Sequence, residues 1–395
     1  MSFEMVELGT VSDITKLAGF EFTKYIKYID DGDVIALRAL NLRHGELDLT
    51  DIKKIERSVS DSLVRSKLYK NDILLTYTGN GYGDCALITE NDKYHLAPNI
   101  CKITPDEEKI NPYYLYAYIR SPMFYKIMSN HMVGSSQPTI PMKTIRTLDV
   151  PLPSREIQDK IARFVLAIDE RMRTNNAIGS ILAEQAEAVF EHELVENANP
   201  EWAHDNLAGI ANYLNGLAMQ KYRPADGDEG LPVLKIRELR QGFCDPNGEK
   251  CSSMIDDQYK VYDGDVIFSW SGSLLVDFWC GGECGLNQHL FKVTSEKYDK
   301  WFYYAWTLHH LNRFILIAAD KATTMGHIKR EELTKAEVLI PSEAEYNKIG
   351  KKISPMYERI ISGRLENRIL AETRDEAFYS MLNGDVDFEH LSFGG

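Results

Sequence analysis

The residues best suited to chemistry in this 395-residue chain are one asparagine–proline–tyrosine run and a small group of cysteines. Asn111-Pro112-Tyr113-Tyr114 approximates the Asn-Pro-Pro-Tyr loop that holds an extruded adenine for amino-group methylation. The second proline is absent and no Gly-rich cofactor loop precedes it, so the run reads as a helix start with proline in the first turn. Cys280 and Cys284 enclose three residues, and Cys244 and Cys251 upstream enclose six. Neither gap fits a common zinc spacing, so free thiols are favoured over a metal site. No phosphate-binding Gly-Lys loop, Gly-x-Ser-x-Gly elbow, His-Glu-x-x-His pair or nuclease-like carboxylate cluster is present. The side chains point away from catalysis and towards recognition.

Composition narrows the class. With 44% hydrophobic and 26% charged residues the chain is an ordinary globular protein, long enough for two or three units. No apolar run reaches the ~20 residues that span a bilayer, and Met1-Ser2-Phe3-Glu4 lacks the basic and apolar parts of a secretory signal. Six cysteines are too few for a disulfide scaffold. A reduced, cytoplasmic protein is expected. The net charge of −14 is spread along the chain: residues 1–150 carry 18 basic against 20 acidic side chains, and residues 200–341 carry 15 against 20. No segment is basic overall, so a surface for a polyanion must be a local patch or be completed by partners.

The elements that must position such a patch repeat. Pro153–Leu194 aligns with Pro341–Leu382 at an ungapped offset of 188, with 12 identities in 42 positions. Chance would give about two or three. The identities include Ile181-Leu182-Ala183-Glu184 against Ile369-Leu370-Ala371-Glu372. Upstream the match is looser: Tyr69–Ile73 corresponds to Tyr262–Val266, Gly79 to Gly272, and Tyr116-Ala117-Tyr118 to Tyr304-Ala305-Trp306. With Leu37-Arg38 matching Leu234-Lys235, the offset falls from 197 to 193 to 188, as shorter loops in the second copy require. Each copy is a mixed domain followed by a long helix.

Ile161, Val165, Ile168 and Met172 are spaced 4, 3, 4 and share one helical face; Ile349, Ile353, Met356 and Ile360 repeat the pattern. With Leu182 and Leu370 they are the expected inter-helix packing residues. Ser342-Glu343-Ala344-Glu345 is a capping box. Two rods of about 60 Å should pack as an antiparallel coiled coil. Both seams turn polar midway, at Asn175–Asn176 and Gly363–Arg364. Pro355 should kink the second helix or delay its start. Val34–Leu37, Asp72–Tyr77 and Gly264–Trp270 read as strands, and Asn111–Met128 and Tyr298–Phe314 as helices whose aromatics fill a core. The expected fold class is α+β: two globular domains related by internal duplication and joined by two long antiparallel helices. The boundaries are 1–152 for the first domain, 153–196 for the first helix, 197–340 for the second domain, and 341–395 for the second helix and tail.

The junction Val150-Pro151-Leu152-Pro153-Ser154-Arg155-Glu156-Ile157-Gln158-Asp159-Lys160-Ile161, with Ile168-Asp169 on the following helix, resembles the start of the conserved helices in type I restriction-modification specificity subunits. The resemblance spans the whole chain. The second junction, Val338–Ile349, departs from it by lacking one proline and the glutamine. The resemblance implies a non-catalytic, DNA-binding chain that assembles with two adenine-methyltransferase subunits and with motor-nuclease restriction subunits. S-adenosylmethionine, ATP and Mg are expected in those partners, and no cofactor, metal or membrane is expected for this chain. Each domain would read one half of a bipartite, asymmetric site in double-stranded DNA, and the helices would set the spacing.

Base reading needs polar loops whose side chains fit groove edges and phosphates. In the first domain the candidates are Arg38, Arg43, Asn80, Tyr82, Ser135, Ser136, Gln137, Lys143 and Arg146. In the second they are Lys235, Arg237, Arg240, Ser271, Ser273, Lys321, Thr323, Thr324, His327 and Lys329. The alternative is a scaffold whose helices dock partner subunits without contacting DNA; the acidic charge favours it and the twin polar loops disfavour it.

Overall fold

Short β-branched and aromatic runs bounded by Gly, Asn and Asp form the strands, and the two long amphipathic stretches form helices. The computed structural model describes residues 3–43, 45–79, 81–134, 137–320 and 326–386. The chain divides into two compact units, Met1–Glu170 with Ala371–Gly395, and Arg171–Leu370. These differ from the boundaries read from sequence, because each unit takes a globular domain together with a piece of both long helices. No helix among the described residues is long and apolar enough to cross a membrane.

In the first unit an antiparallel sheet runs in the order Ser12–Lys16, Ile100–Pro105, Ile73–Thr76, Cys85–Leu87. A second sheet sets Val34–Leu37 between Lys53–Ile55 and Tyr94–Leu96. Met5–Glu7 pairs with Asp149–Pro151, closing the ends of the domain on each other. The second unit repeats the plan. Its sheet runs Asn212–Asn215, Leu290–Thr294, Val266–Ser269, Leu275–Phe278, and Ala203–Asn206 pairs with Glu337–Ile340.

Both expected aromatic helices break into two. Pro112–Arg120 stops before Pro122–Ser129, since Pro122 has no N–H to continue the ladder and Ser121 caps the next helix by accepting from Phe124 N–H at 3.3 Å. Asn111 caps the first, accepting from the Tyr113 and Tyr114 amides at 2.8 and 3.2 Å. Lys300–His309 and Leu311–Asp320 are the counterparts. Tyr114, Tyr118, Trp301 and Phe302 are fully buried, so these aromatics are core.

The first long helix is Arg155–Phe190, extended by a π-helical turn to Glu196; the second is Glu343–Asn383. Ser342 and Glu345 form the capping box, the Glu345 amide donating to Ser342 Oγ at 3.4 Å and the Ser342 amide to Glu345 Oε2 at 3.3 Å. Pro355 lies inside the helix, so it does not delay the start. The lost glutamine has a substitute. Gln158 Oε1 accepts from the Asn111 amide at 2.7 Å, and at the aligned place Tyr346 Oη accepts from the Asp299 amide at 2.8 Å.

The stripes do not form a self-contained seam. Ile161 and Val165 join the first domain's core together with Phe378, Met381 and Leu382. Ile349, Ile353 and Ile360 join the second domain's core with Trp301, Tyr304 and Phe190; Leu182 and Met356 pack against it. Ile168 is buried, and Met172 and Leu370 are half-buried outside both clusters. Within each unit the helices run antiparallel. Asp169 meets Arg374 in the first; in the second Asn175 meets Glu366 and Asn367, and Glu193 meets Lys352.

Candidate nucleic-acid interface

In the first unit the strand Ile73–Thr76 runs into a polar loop pinned at three points. Ile140 N–H donates to Tyr77 O at 2.9 Å, Gly79 N–H to Pro138 O at 2.9 Å, and the Thr78 and Thr139 hydroxyls are 2.5 Å apart. Residues 77–79 and 138–140 therefore lie side by side at the end of the sheet. Gly79 turns the chain at φ +87°, a conformation costly for other residues. Tyr82 stacks on Tyr125 at 5.2 Å, and Gln137 is exposed. Asn80, Ser135 and Ser136 belong to the same two stretches but lie outside the described residues. Lys143 is exposed and makes no ion pair among the described residues. Arg146 instead donates to the carbonyls of Ile14 and Met142, bracing the edge strand.

The second unit builds the same frame. Ile328 N–H donates to Trp270 O at 3.1 Å and Gly272 N–H to Gly326 O at 2.8 Å, while Ser271 forms a β-bridge with His327. Ser271 Oγ and His289 Nδ1 are hydrogen-bonded at 3.0 Å, and the Trp270 ring lies 6.2 Å from both His289 and His327. Ser273 and Lys329 are exposed, and Lys329 makes no ion pair among the described residues. Lys321, Thr323 and Thr324 lie outside them. In the second domain the structure thus brings together two candidates 56 residues apart, Ser271 and His327, and in the first it joins the flanking residues 77–79 and 138–140.

The remaining cations are not gathered there. Arg38 is held by Asp51, 3.2 Å to its carboxylate, and Arg43 by Asp48 at 3.4 Å. Arg43 sits on the hairpin Leu42–Leu47, which bridges through Gly45 to Ala86 at the sheet edge opposite Ser12–Lys16. Lys235 pairs with Glu249 at 2.5 Å and Arg237 with Glu238 at 2.7 Å, around a separate cavity of about 330 Å³. These partners offset much of the charge a phosphate would meet. Arg240 is exposed with no ion pair among the described residues.

Sequence reasoning passed over four residues at the frame. Lys16 ends the edge strand with Nζ 5.4 Å from the centre of the Tyr77 ring. Burial of that ring pushes the Tyr77 hydroxyl up from its ordinary value. Asn215 ends the corresponding strand, its Oδ1 accepting from Trp270 Nε1 at 2.9 Å. The 193 offset, which sets Tyr77-Thr78-Gly79 on Trp270-Ser271-Gly272, was the available signal for the two aromatics, and it does not align Lys16 with Asn215.

Two domains of one topology, each ending in a pinned polar loop pair and joined through long helices, define a duplicated recognition protein. The family model described as "Type I restriction modification DNA specificity domain" matches residues 2–181 and again 199–371. The chain belongs to this family and is a type I restriction-modification specificity subunit, a recognition component rather than a catalytic one. It is 21% identical over 401 residues to the type I restriction enzyme MjaIX specificity subunit of Methanocaldococcus jannaschii, covering 93% of this chain and 88% of that one. It is 29% identical over 158 residues to the EcoBI specificity subunit of Escherichia coli; this match spans 39% of the chain but only 33% of that relative. The crystal structure of the type I restriction-modification S subunit from M. genitalium shares the fold, with a TM-score of 0.55, 13% identity and 96% of both chains covered.

Proposed function

We propose that each globular domain reads one half of a bipartite, asymmetric site in double-stranded DNA, and that the two long helices fix the distance between the halves. Methyl transfer and cleavage would fall to two adenine-methyltransferase subunits and to motor-nuclease subunits, which would carry S-adenosylmethionine, ATP and Mg. The observation that carries this reading is the pinned loop pair, built twice on one backbone plan with different side chains. Two non-identical readers held on one scaffold suit two different half-sites at a set separation.

The charge of −14 favours the other reading, a scaffold that docks partners without touching DNA. Filter binding of random duplex DNA separates the two. The complex reconstituted with this chain should retain selected sequences over bulk duplex, and retention should fall steeply with salt. A complex that retains every sequence equally would leave only the scaffold.

A further inference from the structure

A protein that reads two different half-sites from one duplicated frame must carry its base-reading residues where the backbone is the same and the side chains differ. Strand pairing identifies such a place. Lys16 lies opposite Cys101, and Thr76 opposite Ile100, one row along the same strand. Asn215 lies opposite Phe291, and Ser269 opposite Leu290, again one row along. Lys16 and Asn215 therefore occupy corresponding ends of the two edge strands, beside the corresponding aromatics Tyr77 and Trp270. The hydrogen bonds that pin the loops recur there, from Ile140 and Ile328 to those aromatics' carbonyls and from Gly79 and Gly272 to the facing loops.

The side chains offer different functions. The Lys16 ammonium, over the face of Tyr77, has no carboxylate partner among the described residues and can only donate. Guanine presents two adjacent acceptors, O6 and N7, in the major groove. Asn215 spends one oxygen lone pair on Trp270 Nε1 and one amide hydrogen on Gly216 O at 3.3 Å. One acceptor and one donor remain, and those complement the N6 amino group and N7 of adenine. Both residues are exposed, so DNA has access to them.

We infer that Lys16 and Asn215 are equivalent base-reading positions, Lys16 selecting a guanine in the first domain's half-site and Asn215 an adenine in the second's. This rests on the reading that each domain contacts one half-site. The test maps methylated sequences from a randomised duplex library, using the reconstituted methyltransferase complex with wild-type, Lys16→Ala, Lys16→Asn and Asn215→Ala chains. Lys16→Ala should reduce discrimination at one guanine by about 10–100-fold and leave the other half-site alone. Lys16→Asn should shift that position towards adenine, and Asn215→Ala should relax one adenine in the opposite half. A Lys16→Ala complex that binds more weakly but keeps every base preference would make Lys16 a phosphate contact and overturn the inference, with the half-site reading intact. A wild-type library that yields no bipartite sequence would remove both.

Discussion

Asp169 shows how one residue can carry different chemistry in the two copies. Its carboxylate is buried between Arg120 at 2.8 Å and Arg374 at 3.0 Å, all three side chains at most 16% exposed. At the 188 offset the same triangle is Leu308, Tyr357 and Ala186, all in or against the second domain's apolar core. A buried ion pair contributes little net stability over an apolar replacement, yet removing one member strands the others. Asp169→Leu should therefore cost about 3–5 kcal/mol in urea unfolding. Replacing the whole triangle, Arg120→Leu with Asp169→Tyr and Arg374→Ala, should recover most of that loss. A single variant that unfolds like the parent would mean the carboxylate is not load-sharing between the two guanidiniums. Sequence alone showed Asp169 as a motif residue. It did not show Arg374, 205 residues away, because that pairing exists only once the antiparallel helices are in register.

At the scale of elements, the polar midpoint of the helix pair is where the structure changes the reading most. Two asparagines in a seam read as weak packing, a place to tolerate a shift in register. Asn175 is instead 4% exposed and held by three hydrogen bonds: Nδ2 donates to Glu366 and Asn367 at 3.0 Å each, and Oδ1 accepts from Arg359 at 2.9 Å. Asn367 donates in turn to Asn176 at 2.8 Å. A polar network centred on one buried asparagine specifies register, so an insertion between Asn175 and Asn176 would break its bonds to half-buried partners. The spacing role is better tested by adding seven residues after Glu170 and seven after Leu370, where the compact units divide. Seven residues lengthen each helix by ~10.5 Å while turning its face by only ~20°. Each unit should melt as before. DNA rises ~3.4 Å per base pair, so the gap between methylated half-sites should grow by about three. An active variant that keeps the original gap would end the ruler role. The helices were legible from their 3.6-residue period and capping box, whereas the Ser121–Pro122 break was hidden inside one apolar pattern.

Across the whole molecule the duplication was legible because helix faces, turns and junctions repeat in residue type, and those fix topology. The reading surface was legible only in part. Ser271, Gln137 and Lys329 stood out as polar loop residues, but Lys16 and Asn215 end strands, and only pairing register brings them beside Tyr77 and Trp270. The same closure makes the domains exchangeable. Ala203 pairs with Ile340 and Met5 with Pro151, so each domain begins and ends at one place on its own small sheet. Replacing residues 203–340 with the matching segment of a relative leaves Trp202 bonded through Nε1 to Glu345 at 2.9 Å, so the junction with the second helix survives. Among the described residues, the loop frame of the first domain draws on none of that segment. Methylation mapping of the exchanged chain should therefore show one half-site replaced by the relative's, with the other half and the gap unchanged. If both half-sites change together, recognition is a joint property of the chain and the two-reader account fails.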